Sequence, residues 1–293
     1  MAGTDTAAAA SSPEARVRQM YGDLSDAERK LADVVLARHD ALLGYTATEL
    51  AQLAGTSKST AARFFRRAGF SGFDEFRQQV RAHHTRQSPL ARMAQVPRKD
   101  GLGRQLHTHL HQDAQRLTDW ADALPVAQVQ AALALLSRAR KVWVVGYRHS
   151  QVTAGYAQAL LAQVRSDVAS LNDASGREAE LLAGASDRDV VLAVDFRRRS
   201  TRLPTVLAAA RSMGAQVLLL TDAPVSALAL QARVVLRCGA SDPDGLFDSY
   251  VCAISLINFL AAAFATQAKT GTRARLQRIE QLHAVLDDLE PQL

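Results

Sequence analysis

The sequence predicts two folds in tandem: an all-α helix-turn-helix unit, then an α/β unit whose parallel sheet is flanked by helices. Residues 46–69 hold two short amphipathic stretches joined by a turn containing a glycine. From residue 125 onward, short apolar runs alternate with Ala-rich helical stretches, the pattern of parallel strands covered on both faces. Charge divides the chain in the same place. Residues 1–104 hold 16 Lys and Arg against 11 Asp and Glu, whereas residues 105–293 hold 19 against 18. A basic leading module beside a near-neutral larger one points to a polyanionic partner for the first.

At 293 residues the chain suits two domains. The expected division is a leader over 1–12, a helix-turn-helix domain over 13–84, a linker and connecting helix over 85–124, an α/β domain over 125–268 and a helical tail over 269–293. No apolar run reaches the roughly 18 residues of a membrane span. The stretch Ala253–Ala265 is broken by Ser255 and Asn258 and reads as a buried helix, so no membrane partner is expected. Met1 to Ser12 lacks the basic and apolar regions of a signal peptide, which predicts a cytoplasmic protein. Cys238 and Cys252 suit a reducing compartment as small buried hydrophobes. His107, His109 and His111 alternate, and a helix splays such residues onto different faces, so neither metal nor cofactor is expected.

In the leading module, Ser25 with Glu28 reads as a capping box opening a helix whose apolar positions are Leu31, Val34, Val35 and Leu36. After Arg38-His39-Asp40, Thr46 caps a short helix through Leu53, Gly55 marks the turn, and a second helix runs through Arg67. Leu50, Ala51, Leu53, Ala61 and Phe64 or Phe65 are the expected shared core. The second helix opens with Thr56, Ser57, Lys58, Ser59 and Thr60 and carries Arg63 one turn later. Short hydroxyls reach phosphates or base edges, and Lys and Arg supply charge-assisted contacts in a major groove. Arg66 and Arg67 lie further along, toward DNA backbone or solvent.

The run Glu49-Leu50-Ala51, Gly55-Thr56-Ser57-Lys58-Ser59-Thr60, Arg63-Phe64 and Gly69-Phe70-Ser71-Gly72-Phe73-Asp74-Glu75-Phe76 resembles the DNA-binding domain of the RpiR/MurR family of regulators. That resemblance implies a double-stranded operator as partner. Gly69 and Gly72 fit as the end of the recognition helix and the turn into the next.

In the second module, Pro125 opens a helix over Val126–Arg138, and Lys141–Gly146, Asp189–Asp195, Gln216–Asp222 and Val234–Cys238 read as buried strands, with Asp167–Leu171 a weaker one. Ala-rich helices fill the intervals at Thr153–Val164, Thr205–Met213 and Ser249–Thr266. Ligands of such sheets sit beyond the carboxyl ends of the strands. That rule selects Gly146-Tyr147-Arg148-His149-Ser150, Asp195-Phe196-Arg197-Arg198-Arg199-Ser200 and Thr221-Asp222-Ala223-Pro224. Two of these loops place arginines before a helix, where bidentate pairing with carboxylate or phosphate is favoured.

This half resembles the sugar isomerase (SIS) domain of the same family, through the strand–loop order and the Thr221–Ala229 segment. The resemblance implies phosphosugar binding by a GxGxS loop and an SxSGxT loop. Here Gly146 and Ser150 are retained, but Arg148 stands at a glycine position. Asp195, Arg197 and Arg198 replace Ser, Ser and Gly, and Ser200 takes the place of Thr. The expected effector site is Gly146, Arg148, Ser150, Asp195, Arg197, Arg198, Ser200 and Thr221, taking a small anion, sugar phosphate or carboxylate.

The reading is thus a transcriptional regulator, a repressor by family habit, acting as a homodimer or homotetramer on paired half-sites. It is not expected to be an enzyme. An isomerase reading would need a base among Glu178, Glu180 and His149, whose spacing marks no catalytic pair. A third reading leaves the SIS-like domain to oligomerisation alone.

Overall fold

The computed structural model describes residues 13–37, 45–86, 89–93, 101–172, 175–223, 226–239 and 246–288. The leader 1–12, Arg38-His39-Asp40 and Pro224 lie outside the described residues. The chain divides into two compact units, with the boundary between Pro97 and Arg98.

The first unit is all helix: α1 (Pro13–Gln19), a 3-10 turn at Tyr21–Asp23, α2 (Asp26–Ala37), α3 (Ala47–Leu53), α4 (Lys58–Arg67), α5 (Phe73–Arg86) and α6 (Pro89–Met93). Its core joins Leu31, Val35, Leu50, Ala51 and Ala61 to five phenylalanines. Phe65 is central, with ring centroids 5.1 Å from Phe64 and Phe76 and 5.2 Å from Phe73. Such offset and edge-on pairs add to the burial of the rings themselves. Leu53 departs from expectation: it is 46% exposed rather than in the shared core, because the helix ends there and Leu50 and Ala51 already fill the crossing.

The second unit opens with α7 (Leu102–Ala123) and α8 (Val126–Arg138). There follow β1 (Val142–Gly146), α9 (His149–Val164), β2 (Val168–Ser170), α10 (Glu178–Leu182), β3 (Val190–Asp195), α11 (Arg202–Ser212), β4 (Gln216–Thr221), α12 (Ala227–Gln231), β5 (Val234–Arg237), α13 (Val251–Gln267) and α14 (Lys269–Leu286). The sheet runs β2-β1-β3-β4-β5, and every neighbouring pair is parallel.

Alternation along each strand sorts side chains to two faces. Val142, Val144, Leu192, Leu218 and Leu236 pack with Leu133 and Leu136 of α8, Ala157 and Leu161 of α9, and Leu256 and Leu260 of α13. Trp143, Val145, Val191, Val217 and Leu219 meet Leu182, Leu203, Leu207 and Leu228 on the other side. Two buried faces explain why these strands read as unbroken apolar runs. α7 belongs to this unit. Leu117 and Trp120 pack on its core, and the Trp120 indole donates to the Arg237 carbonyl at 2.6 Å.

Cys238 and Cys252 are free and buried, and burial pushes both thiols up. Among the described residues no helix is long and apolar enough to cross a membrane, and no group of His, Cys, Asp and Glu is placed to hold a metal.

Candidate DNA-contact face and anion-binding edge

The helix-turn-helix is set by its caps. Thr46 accepts from the Glu49 amide at 3.2 Å, and Glu49 accepts from the Thr46 amide at 2.7 Å, which satisfies two otherwise orphaned donors. The Thr46 amide holds the Glu49 carboxyl below the usual range. The chain turns at Gly55, whose φ of +61° suits a residue without Cβ. The Thr56 hydroxyl donates back to the Ala51 carbonyl at 3.4 Å, closing the turn. Ser57 then caps α4, accepting from the Thr60 amide at 3.1 Å. Its hydroxyl also lies 2.8 Å from that of Ser59 and 2.9 Å from that of Thr60. A linked set of hydroxyls therefore sits at the positive end of α4, where an anion is favoured.

Ala61, Phe64 and Phe65 turn inward, which leaves Lys58, Ser59, Ala62, Arg63 and Arg66 exposed. α4 contains no carboxylate. Lys58 and Arg63 make no hydrogen bond or salt bridge among the described residues. Arg67 behaves differently: it donates to the Asp23 carbonyl at 2.7 Å and pairs with Glu28 at 3.2 Å, tethering α4 to the start of α2. The Ser25 amide, with Arg67 adding to it, holds the Glu28 carboxyl low. Arg66 donates to the Ala62 carbonyl at 3.2 Å.

In the second unit, strand order reverses between β1 and β3, and all carboxyl ends share one edge. Gly146 stands in register with Val194, and Asp195 with Thr221, so the three selected loops begin level with one another. Packing demands the glycine: a Cβ at Gly146 would lie 2.4 Å from the Ser150 carbonyl oxygen. The Asn172 side chain brackets Gly146, accepting from its amide at 3.0 Å and donating to its carbonyl at 2.6 Å. Buried Ser150 accepts from the Phe196 amide at 3.2 Å. Thr221, also buried, donates to the Asp195 carbonyl at 2.9 Å and accepts from the Ala223 amide at 3.0 Å. The hydroxyls expected to meet a ligand thus hold the loops to one another.

The arginines divide by their partners. Arg197, expected to be open to an anion, already faces Asp222 at 3.7 Å and Asp248 at 4.0 Å. Arg199 pairs with Asp195 at 3.1 Å and also with Asp222. Asp195 thereby orients Arg199. By contrast Arg148 and Arg198 are exposed, and their side chains make no hydrogen bond or salt bridge among the described residues. Arg148 immediately precedes α9 at φ +59°. The Ser200 hydroxyl accepts from the Arg202 amide at 3.2 Å. Arg202 holds both oxygens of buried Glu178 at 2.8 Å, and the Tyr147 hydroxyl reaches the same carboxylate at 3.3 Å. Burial and the Glu178 charge push the Tyr147 phenol up. Beside Phe196, Asp222, Asp248 and the two cysteines lies a crevice of about 10 Å³, room for one water.

The helix-turn-helix domain of the rpiR family matches residues 12–87, and the SIS domain matches residues 135–263. The chain thus carries an rpiR-family helix-turn-helix domain followed by a SIS domain. By its domains it is a transcriptional regulator, with an rpiR helix-turn-helix ahead of a SIS domain. The HTH-type transcriptional regulator YbbH of Bacillus subtilis is 26% identical over 226 residues, 77% of this chain and 79% of that protein. Among solved structures, the Vibrio vulnificus NanR protein complexed with ManNAc-6P matches with a TM-score of 0.57 over 94% of this chain and 98% of that one. At its 19% identity that likeness carries the fold alone. The sugar isomerase domain of an RpiR transcription factor from Sphaerobacter thermophilus matches with a TM-score of 0.56 at 25% identity. It covers 62% of this chain and 99% of that one.

Proposed function

We propose that this rpiR-family regulator is a repressor that grips duplex DNA through α4 and releases it when a small anion docks at the carboxyl edge of the SIS sheet. The observation that carries the reading is the exposed face of α4, where Lys58 and Arg63 stand without a carboxylate on the helix beside a capped hydroxyl set. Thr56, Ser57, Ser59 and Thr60 shape that face. Lys58 and Arg63 supply the charge that releases counterions from the phosphate backbone. A homodimer or homotetramer would present two such helices to paired half-sites.

At the sheet edge, Arg148 and Arg198 are the anion contacts, while Gly146, Ser150, Asp195, Arg197, Ser200 and Thr221 fix the loops that carry them. A sugar derivative bearing phosphate is the first ligand to try, since the NanR structure holds one; a carboxylate is the second. Binding, rather than catalysis, is favoured because the buried carboxylates at and beside this edge are already engaged, Asp195 by Arg199 and Glu178 by Arg202. The test is fluorescence anisotropy on a duplex selected from a random pool by the full-length protein. Arg63→Ala is expected to weaken binding at physiological salt, and ManNAc-6P, added to wild type, to release the duplex. Wild-type affinity in Arg63→Ala would sink the DNA reading. A ligand panel of sugar phosphates and sugar acids that shifts neither Tm nor DNA affinity would reduce the SIS domain to oligomerisation.

A further inference from the structure

The opposite edge of the sheet holds a feature that neither the DNA reading nor the effector reading uses. Where β3, β4 and β5 begin, a basin of about 470 Å³ opens against α8, within the range of small-molecule clefts. Its wall is one face of α8, Ala131, Ala134, Leu135 and Arg138, at the i, i+3, i+4, i+7 spacing that puts side chains on a common stripe. Its floor includes Val190 and Val234, the first residues of β3 and β5. Arg188, in the turn before β3, and Arg233, directly before β5, complete the rim with Arg138.

All three arginines are exposed, and none of their side chains makes a hydrogen bond or salt bridge among the described residues. Asp187 is the one carboxylate in the lining. The charge balance therefore calls for an anion, while the alanine, leucine and valine surface calls for an apolar body beside it.

One effect opposes this. α8 brings its carboxyl end to the basin, and that end of a helix repels anions. Arg138 alone could be explained as a response to that dipole. Arg165, however, already serves the same carbonyls, donating to Leu136 at 2.5 Å, Ala139 at 2.8 Å and Arg140 at 3.2 Å. Arg188 adjoins no helix end, and Arg233, two residues past α12, makes no side-chain hydrogen bond to the carbonyls there. Arg140, close by in sequence, is by contrast fully engaged, holding Asp189 at 2.9 and 2.6 Å and the Gly184 carbonyl at 2.8 Å. Unengaged arginines are thus particular to the basin rather than general to this edge.

We propose that the basin is a second ligand site, taking a small organic anion whose apolar body lies on the Ala131–Ala134–Leu135 face while Arg138, Arg188 and Arg233 hold its acidic group. Because parallel strands place it at their amino ends, the site lies about a strand length, roughly 20 Å, from the loops of Arg148 and Arg198. It does not depend on the DNA or effector reading.

The probe is 8-anilino-1-naphthalenesulfonate, an apolar ring system bearing one sulfonate, titrated into the full-length protein and followed by fluorescence. Saturation at one dye per chain is expected. Arg188→Ala/Arg233→Ala should weaken the dye at least tenfold, and Ala134→Trp, which fills the basin from the α8 side, should do the same with the arginines intact. Arg148→Ala should leave the affinity unchanged, and circular dichroism should show each variant folded. The uncharged N-phenyl-1-naphthylamine should bind wild type at least tenfold more weakly than the sulfonate. Dye affinity unchanged in both basin variants, or lost only in Arg148→Ala, overturns the proposal. So does a change in sedimentation coefficient of the double variant without a change in dye binding, which would make the basin an interface between copies of the chain.

Discussion

On α4, a helix that contains no acid, Lys58 and Arg63 make no side-chain salt bridge among the described residues; in the loop after β3, Arg197 and Arg199 stand among Asp195, Asp222 and Asp248. The residue types are the same and their circumstances are opposite. A cation held by no salt bridge keeps most of its interaction free energy for an external anion. One bracketed by carboxylates spends it on holding the fold, and a ligand must displace a partner to win it. The density of arginine along a sequence is therefore a poor guide to where an anion binds. The position of the nearest aspartate is a better one, and it separates Arg148 and Arg198 from their neighbours Arg197 and Arg199.

The sharpest way to break this contrast is Asp222→Ala, which removes the carboxylate shared by Arg197 and Arg199. With Asp222 nearly buried, thermal or urea unfolding should show a loss of about 2–4 kcal/mol, and a variant as stable as wild type would mean the loop is not held by its charges. Next in size, Arg63→Ala should cost about 1–3 kcal/mol of DNA binding if the side chain reaches a base edge. If it reaches only phosphate, the anisotropy-derived salt slope should instead become shallower by about one unit. Neither change should alter Tm, in contrast to Asp222→Ala. Arg148→Ala and Arg198→Ala are each expected to weaken effector binding by about 1.5 kcal/mol, the value of a charge-assisted hydrogen bond, again without unfolding the domain. If calorimetry finds Arg197→Ala the most damaging of the three to affinity, the division between held and open arginines is wrong.

Acid supplies a milder test of the same idea. Burial pushes the Asp189 carboxyl up, but the Arg140 hydrogen bonds and the Ser186 amide outweigh it and hold the group below the ordinary 3.8. A depressed folded value means the stabilisation is complete above 3.8 and is lost as pH falls through the folded value. The difference in Tm between wild type and Asp189→Asn should stay constant from neutral pH to about 5, then shrink in stronger acid.

Much of this was legible in residue order because its causes are local. Apolar runs such as 190–194 must lie between two helical layers, Pro125 sets a helix start, and Thr46 with Glu49 can cap only the helix they open. The helix-turn-helix face was legible for the same reason, since a helix fixes which of its residues look outward. The partners of the effector loop were not. Asp222 and Asp248 reach Arg197 and Arg199 only because parallel strands deliver distant chain segments to one edge. Sequence spacing of 23 residues or more carries no trace of that meeting. The bond that fastens α7 was hidden likewise, since Trp120 meets Arg237 across 117 positions.

The bond from the Phe196 amide to the Ser150 hydroxyl has a mechanical meaning. It pins the segment after β1 to the segment after β3 at the place where the sheet changes winding direction, so the two cannot shift separately while the pin holds. Ser150 works as an axle between two levers, and its loss would leave each lever to move alone.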